Sequence, residues 1–132
     1  MTTPPLYIML CSAERDKIQM AGMVASVAAV SEREVHLFVS MGAIKAFEKG
    51  KPAKDRYLAS AFSQELNSAG APDPVELLKQ GKMLGDMKVH ACSMVMDVLG
   101  WEMENLEEEL FEGPMGLTKF LSDAENGQLI TL

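Results

Sequence analysis

The amino-acid sequence predicts an α/β fold, a three-layer α/β/α sandwich built on a mostly parallel sheet of about five strands. Short apolar runs alternate with helical patterns along the chain, as they do in parallel βαβ units. The first run, residues 6–11, is apolar on both faces, which is typical of a strand covered by helices on both sides. The length of 132 residues fits a single domain, residues 1–132, with a substantial core.

The first helical pattern is unusually apolar. Ser12 is expected to cap a helix over residues 13–30, because a serine hydroxyl accepts hydrogen bonds from unpaired N–H groups at a helix start. From Met20 to the end of that helix, only Ser26 has a polar side chain. A helix that is apolar nearly all round needs burial on more than one face. We therefore expect part of it to pack against another subunit as well as the sheet.

The middle of the chain carries weaker patterns and one strong one. Residues 35–39 predict a second strand, in which His36 is interpreted as a packed or solvated side chain rather than a ligand. Residues 41–47 predict a short helix, and an exposed loop followed by a helix within residues 57–66 is expected next.

The strongest local signal lies at Asp73, where a capping residue precedes a proline and Glu76 follows three residues later. This pattern predicts a helix over residues 74–80, with Gly81 near its end.

A short apolar strand at residues 88–91 is expected to run directly into a helix at residues 93–99, with Cys92 at the junction. The unpaired N–H groups and the dipole of a helix N-terminus stabilise a thiolate relative to a thiol. This placement is therefore suited to nucleophilic sulfur chemistry. The other interpretation is that Cys92 packs as a small hydrophobe, since free cysteine is among the most buried residue types.

The last quarter of the chain predicts further alternation of elements. The stretch of residues 102–109 carries five glutamates, interpreted as a solvated helical face or as an acidic rim for a basic partner. Residues 110–111 predict a very short strand, which Gly113 and Pro114 are expected to break. The remaining predicted elements are a helix at residues 115–124 and a strand at residues 128–132.

Composition excludes several functional classes. A net charge of -7 with only 12 lysines and arginines argues against a nucleic-acid role. The longest apolar run, residues 20–30, is too short to span a bilayer, and the N-terminal sequence lacks the features of a signal peptide. A cytoplasmic protein with two free thiols is expected, because the 2 cysteines do not form a CxxC or zinc-finger spacing.

The run VHACSMVMDVLGW, residues 89–101, resembles the DsrE/DsrF/DsrH-like family, together with the acidic, glycine-bearing segment of residues 102–116. The similarity is closest to the DsrE-like sulfur-carrier subgroup, sometimes labelled peroxiredoxin family, and extends more loosely over nearly the whole chain. The resemblance implies that Cys92 accepts sulfane sulfur as a persulfide. It also implies TusA-like and rhodanese-like partners in cytoplasmic sulfur trafficking or oxidation, and a homo-oligomer, commonly a trimer or a dimer of trimers.

The family motif maps onto Cys92 and not onto Cys11, which leaves Cys11 as an auxiliary thiol or a packing residue. Ligands bind beyond the carboxyl ends of strands in parallel sheets, so both cysteines are expected at one edge, one or two strands apart. His90 points to the same side of its strand as Cys92 and is a candidate for holding the thiolate. Met94 and Met96 flank the cysteine as a soft docking surface for partners. No cofactor and no metal is expected, although a copper site formed by His90, Cys92 and Met94 is chemically conceivable.

Three function classes remain open. The first is a sulfur carrier or sulfurtransferase-like protein acting through Cys92. The second is a thiol redox protein, against which stands the lack of a PxxxTxxC motif and of an obvious resolving pair. The third is a non-catalytic binding or assembly module in which Cys92 only packs. No Ser/His/Asp, HExxH, GxGxxG or Walker pattern points to another enzyme class.

Overall fold

The computed structural model describes residues 3–132. Within this range the strands are β1 (Leu6–Leu10), β2 (Val35–Val39), β3 (Met87–Cys92), β4 (Phe111–Met115) and β5 (Gln128–Thr131). They form one parallel sheet of order β4-β3-β2-β1-β5. The helices are α1 (Arg15–Val30), α2 (Ala53–Arg56), α3 (Ser63–Ser68), α4 (Pro74–Leu84), α5 (Ser93–Leu99) and α6 (Leu117–Ala124). Helices flank the sheet, which confirms the predicted α/β fold class.

One face of the sheet is covered by α1 and α4, which pack closely against each other. Two glycines permit this approach: a Cβ at Gly22 would lie 3.2 Å from the carbonyl oxygen of Pro74, and one at Gly81 would lie 3.0 Å from Cα of Ser26. The tightly packed side of α1 thus faces another helix of the same chain. Its outer side still exposes apolar side chains, namely Met20, Met23, Val27 and Val30.

The opposite face is covered by α6, whose Phe120 stacks on Phe38 and meets Tyr7 edge to face. The parallel register aligns Tyr7 with His36, and Phe38 with His90. Side chains alternate between faces along a strand. Cys11 and Cys92 therefore belong to the α6 face, at the carboxyl edge of the sheet. Because β2 lies between β1 and β3, the two cysteines are two strands apart.

Two predicted helices of the first half begin elsewhere. Ser12 does not cap α1: its Oγ accepts the N–H of Glu14 (3.1 Å), and the helix begins only at Arg15. The helix expected within residues 57–66 is replaced by an extended segment and the short α3. The reason is long-range pairing, because Leu58 forms a parallel bridge with Glu14, and this removes its backbone groups from any local helix.

The Asp73 signal is confirmed, since its carboxylate accepts the N–H of Glu76 (3.2 Å). The helix nevertheless continues past Gly81 to Leu84, because the glycine is needed for contact with α1 rather than for termination. The predicted break at Gly113 and Pro114 is wrong, as both lie inside β4. β4 is an edge strand, and a proline is tolerated there because its missing N–H is not needed for pairing with a further strand.

The acidic stretch of residues 102–109 is not a helix with a solvated face. It forms a 3₁₀ turn, Met103–Asn105, followed by irregular chain. Glu107 is nearly buried and binds Arg56 and Lys79, each at 2.8 Å. One of the five glutamates is thus a structural anchor.

Candidate functional site

Cys11 and Cys92 line the same small cavity at the carboxyl edge of the sheet, about 150 Å³ in volume. Its lining is mostly apolar and comes from the ends of three strands and the starts of α5 and α6: Met9, Cys11, Phe38, Ser40, Met41, Cys92, Ser93, Met94 and Leu117. Both cysteines were expected at one edge of the sheet, one or two strands apart, and in the structure they are two strands apart and line one cavity. Sequence reasoning did not find Ser40, Met41 or Leu117 in it. The strand-end argument applied to β2 would have found the first two.

Cys92 is the last residue of β3 and immediately precedes α5. The residue is 4% exposed, so its sulfur is reached through the cavity rather than from open solvent. Among the described residues, the first turn of α5 donates no hydrogen bond to the Cys92 side chain. The expected hydrogen bonding of a thiolate by this helix start is therefore not seen. What the structure provides is an enclosed apolar compartment.

Cys11 follows β1 and is partly exposed at the other side of the cavity. Burial raises the pKa of the Cys11 thiol, and the negative charge of a Cys92 thiolate raises it further. A raised pKa favours the neutral form of the Cys11 thiol.

The mouth of the cavity is apolar and exposed. Met41, Met94 and Leu117 line the cavity and are each about half exposed. Val98 lies one helical turn after Met94 on the same side of α5 and is more exposed still. We call these four residues the rim. Met96, expected on the same docking surface as Met94, is instead buried in the core, because it lies two positions further along α5 and faces the sheet side.

His90 shares the face of Cys92 but hydrogen-bonds elsewhere. Its Nε2 lies 3.5 Å from Nδ1 of His36, and the two rings stack with centroids 5.8 Å apart. His36 in turn stacks on Tyr7 and places Nε2 at 2.7 Å from the Glu34 carboxylate, so it is a packed side chain. Burial lowers the pKa of His90, and a positive charge on His36 lowers it further. A neutral His90 engaged with His36 does not supply a counter-charge to Cys92.

The part of the chain that the structure describes contains neither a cluster of metal ligands nor a membrane-spanning helix. Over residues 3–132, no group of three or more His, Cys, Asp and Glu side chains is placed to hold a metal ion, and Met94 of the conceived copper site lies on the exposed rim. In the same part of the chain, no helix combines the length and apolar character needed to cross a bilayer.

Comparison with known proteins identifies similar chains without assigning a role. No family model matches the sequence. The chain is 26% identical to an uncharacterized protein of Bacillus subtilis (strain 168), YrkE, with 92% of each chain covered. Its fold is similar to that of MTH1491, a protein of unknown function from Methanobacterium thermoautotrophicum, with a TM-score of 0.64, 97% and 98% of the two chains covered, and 11% identity. At that identity the structural likeness shows the fold alone.

Proposed function

We propose that the protein is a sulfur carrier of the DsrE type, which holds sulfane sulfur as a persulfide on Cys92 and passes it between partner proteins in the cytoplasm. The observation that carries the proposal is the position of Cys92, at a strand end inside a small apolar cavity that it shares with a second thiol. The resemblance of residues 89–101 to the DsrE-like carriers supports the same residue.

The chemistry needs no metal and no organic cofactor. The Cys92 thiolate attacks the outer sulfur of a donor persulfide, R–S–SH. The donor S–S bond breaks, the donor leaves as a thiolate with the electron pair of that bond, and Cys92 becomes Cys92–S–SH. An acceptor thiolate then attacks the outer sulfur of this persulfide, and the Cys92 thiolate leaves. Each step conserves charge and sulfur atoms, so only an accessible thiolate is required.

The cavity limits what can reach the sulfur. About 150 Å³ accommodates a terminal sulfur and the end of a partner's cysteine side chain, but not a folded domain. A protein donor must therefore bind to the rim and extend its cysteine side chain into the cavity. Methionine is flexible and polarisable, so a rim containing Met41 and Met94 can adapt to more than one partner surface. This agrees with a carrier that meets both a TusA-like and a rhodanese-like protein.

A second candidate function is dithiol redox chemistry, since Cys11 and Cys92 share a cavity. Because the two cysteines are two strands apart, roughly 9–10 Å at the usual strand spacing, a disulfide between them requires the strand ends to move closer. If Cys11 as thiolate attacks the inner sulfur of the Cys92 persulfide, the S–S bond of that persulfide breaks. Hydrosulfide then leaves, and a Cys11–Cys92 disulfide remains. The same disulfide forms when a partner disulfide accepts two electrons from the two thiols. The two functions differ in whether sulfur or electrons leave the protein.

Mass spectrometry of the intact protein after incubation with polysulfide tests the carrier proposal. Wild-type protein should gain whole sulfur atoms, Cys11→Ser should gain them equally, and Cys92→Ser should gain none. The matched pair controls for nonspecific thiol modification because each variant keeps one cavity cysteine. Equal sulfur uptake by Cys92→Ser and wild type contradicts the proposal. Loss of two hydrogens from wild type with no sulfur retained supports the redox alternative instead.

We also propose that the protein assembles into a homo-oligomer, a trimer or a dimer of trimers, through the exposed side of α1. The outward apolar residues of this helix support the proposal, since a monomer gains nothing by exposing them: Met20, Met23, Val27 and Val30. Sedimentation velocity of wild type and of Val27→Glu tests it. A monomeric wild type contradicts the assembly and leaves the chemistry at Cys92 untouched.

A further inference from the structure

Two equally buried arginines in this protein have very different surroundings. Arg15 and Arg56 are each 8% exposed. Arg56 donates to the carboxylate of Glu107 at 2.8 Å. Within residues 3–132, Arg15 donates to no carboxylate at all. The guanidinium of Arg15 is thus a buried charge without a counter-charge, which desolvation makes strongly unfavourable.

The contacts of Arg15 fix the orientation of its planar guanidinium group but do not use all of its N–H donors. Nε donates to the side-chain oxygen of Gln19 at 3.0 Å, and Nη1 donates to that of Asn67 at 2.6 Å. The guanidinium carbon lies 5.3 Å from the centroid of the Tyr57 ring. A guanidinium has five N–H donors, and these two bonds use two of them. All three neighbours are neutral: Gln19 and Asn67 are amides, and burial raises the pKa of the Tyr57 phenol, so it does not ionise near neutral pH.

Arg15 lines a cavity of about 280 Å³ between the start of α1, α2 and α3. The cavity shares no lining residue with the thiol cavity, and a second cation, Lys54, lines it together with Ser63 and Asn67. None of the residues lining it is an aspartate or glutamate. This is unexpected in a chain with 19 acidic and 12 basic residues.

Two acidic residues flank Arg15 in the sequence, Glu14 and Asp16, and neither lines the cavity. Asp16 accepts the hydroxyl of Ser60 at 2.6 Å and the N–H of Phe62 at 3.3 Å, which fixes the turn before α3. The wall opposite Arg15 is held independently, because the Tyr57 hydroxyl donates to Asp73 at 2.7 Å and accepts the N–H of Val75 at 3.2 Å. The cationic group is therefore preorganised before any ligand enters.

We propose that this cavity is a binding site for a small oxyanion, held by the free N–H donors of Arg15 and by the ammonium group of Lys54. The planar guanidinium matches the paired oxygens of a phosphate, sulfate, thiosulfate or carboxylate group, and a bound anion supplies the missing counter-charge. The site is independent of the chemistry at Cys92. An anion held by Arg15 and Lys54 also connects α1 to α2, so its binding stabilises the contact between these two helices.

Calorimetric titration of the full chain with phosphate, sulfate, thiosulfate and acetate, at constant ionic strength in chloride, tests the proposal. Saturable binding of one of these anions is expected, with a parallel rise in the thermal unfolding midpoint. Tightest binding of an inorganic oxyanion identifies a free ion as the ligand class. Tightest binding of acetate identifies the carboxylate of an organic molecule. Absence of saturable binding by all four overturns the proposal.

Two matched pairs of variants locate the site. Arg15→Gln should weaken binding about tenfold or more, the loss expected for one hydrogen-bonded charge. Arg33→Gln is its control, because Arg33 also donates to neutral oxygens, those of Pro4 and Gln128, and lines no part of this cavity.

Lys54→Glu keeps the proposal testable if Arg15→Gln fails to fold, since Lys54 is exposed. Its control is Lys17→Glu, an equal charge reversal on an exposed residue of α1 that does not line the cavity. Lys54→Glu should abolish the binding and Lys17→Glu should keep it. Equal affinities of these two variants overturn the assignment. Cys92→Ser should bind the anion as wild type does, whether or not the sulfur-carrier proposal holds.

Discussion

The buried carboxylate of Glu107 gives the sharpest test of how this fold is held together. It accepts hydrogen bonds from Arg56 Nη2 and Lys79 Nζ, both at 2.8 Å, and from the Gly50 N–H at 3.3 Å. The side chains of Arg56 and Glu107 are 7% and 12% exposed. Glu107→Gln removes the charge while keeping nearly the same shape. Removing one partner of a buried ion pair costs about 3–5 kcal/mol, because the other charge stays buried.

The structure places the expected loss at the lower end of that range. Arg56 keeps two backbone acceptors, the carbonyl oxygens of Ala46 and Glu48, and Lys79 is one-third exposed and can turn to solvent. We therefore expect Glu107→Gln to lower the free energy of unfolding by about 3 kcal/mol, out of about 5–15 kcal/mol for an ordinary domain. Urea denaturation followed by circular dichroism measures the difference. Glu108→Gln, which removes only an exposed ion pair with Lys49, should change the free energy of unfolding by less than about 1 kcal/mol.

Acid titration provides an independent arm of this test. Burial acts to raise the pKa of Glu107, but the hydrogen bonds and charges of Lys79 and Arg56 outweigh it, so the net pKa is lowered from its usual 4.5. The folded protein thus releases this proton more readily than the unfolded chain. The stabilisation is fully present above about pH 4.5 and is lost as pH falls through the folded-state pKa. If Glu107→Gln is as stable as wild type at neutral pH and loses stability equally in acid, the reasoning about this ion pair is wrong.

Other parts of the structure lead to three more predictions. Gly81→Val should lower the free energy of unfolding by about 2–3 kcal/mol, because the added side chain overpacks against Ser26. Gly42→Val is the control: a Cβ at Gly42 would meet nothing within 4 Å, so the same urea assay should show no packing cost. Burial, and then His36, lower the pKa of His90 from 6.5, so the contribution of His90 to stability is present above about pH 6.5 and is lost as pH falls through the folded-state pKa. His90→Gln should therefore flatten the dependence of the urea midpoint on pH. A midpoint that changes with pH as steeply as in wild type contradicts this prediction. Val98→Gln, at a rim residue that does not line the cavity, should leave loading by inorganic polysulfide unchanged but slow sulfur transfer from a protein persulfide about tenfold, equivalent to about 1.4 kcal/mol. Equal slowing of both reactions in stopped-flow measurements contradicts a role of the rim in docking.

The candidate site was accessible to sequence reasoning only in part. Cys92 could be placed at a strand-to-helix junction because both elements follow from local apolar spacing. That Cys11 opens onto the same cavity depended on strand order, which no local pattern encodes. The contribution of Leu117 to the rim depended on how α6 returns over the sheet after an edge strand. The burial of Arg15 could not be predicted from the sequence, because an arginine near a helix start is normally solvated. The residues next to it in the sequence do not show that Asn67 and Tyr57, more than 40 positions away, contact its guanidinium group.

By itself, the sequence determined those elements whose stabilising contacts lie within a few residues. The strand Val35–Val39, the helix Ser93–Leu99 and the Asp73 cap are such elements, since an apolar period or a side-chain hydrogen bond three residues away suffices to specify them. Tertiary structure decided the features that rest on partners far along the chain. Leu58 is extended because it pairs with Glu14, Pro114 stays in a strand because β4 forms the sheet edge, and Glu107 is buried because Arg56 and Lys79 enclose it. Backbone and charge requirements at those positions are met only once the chain has folded back on itself.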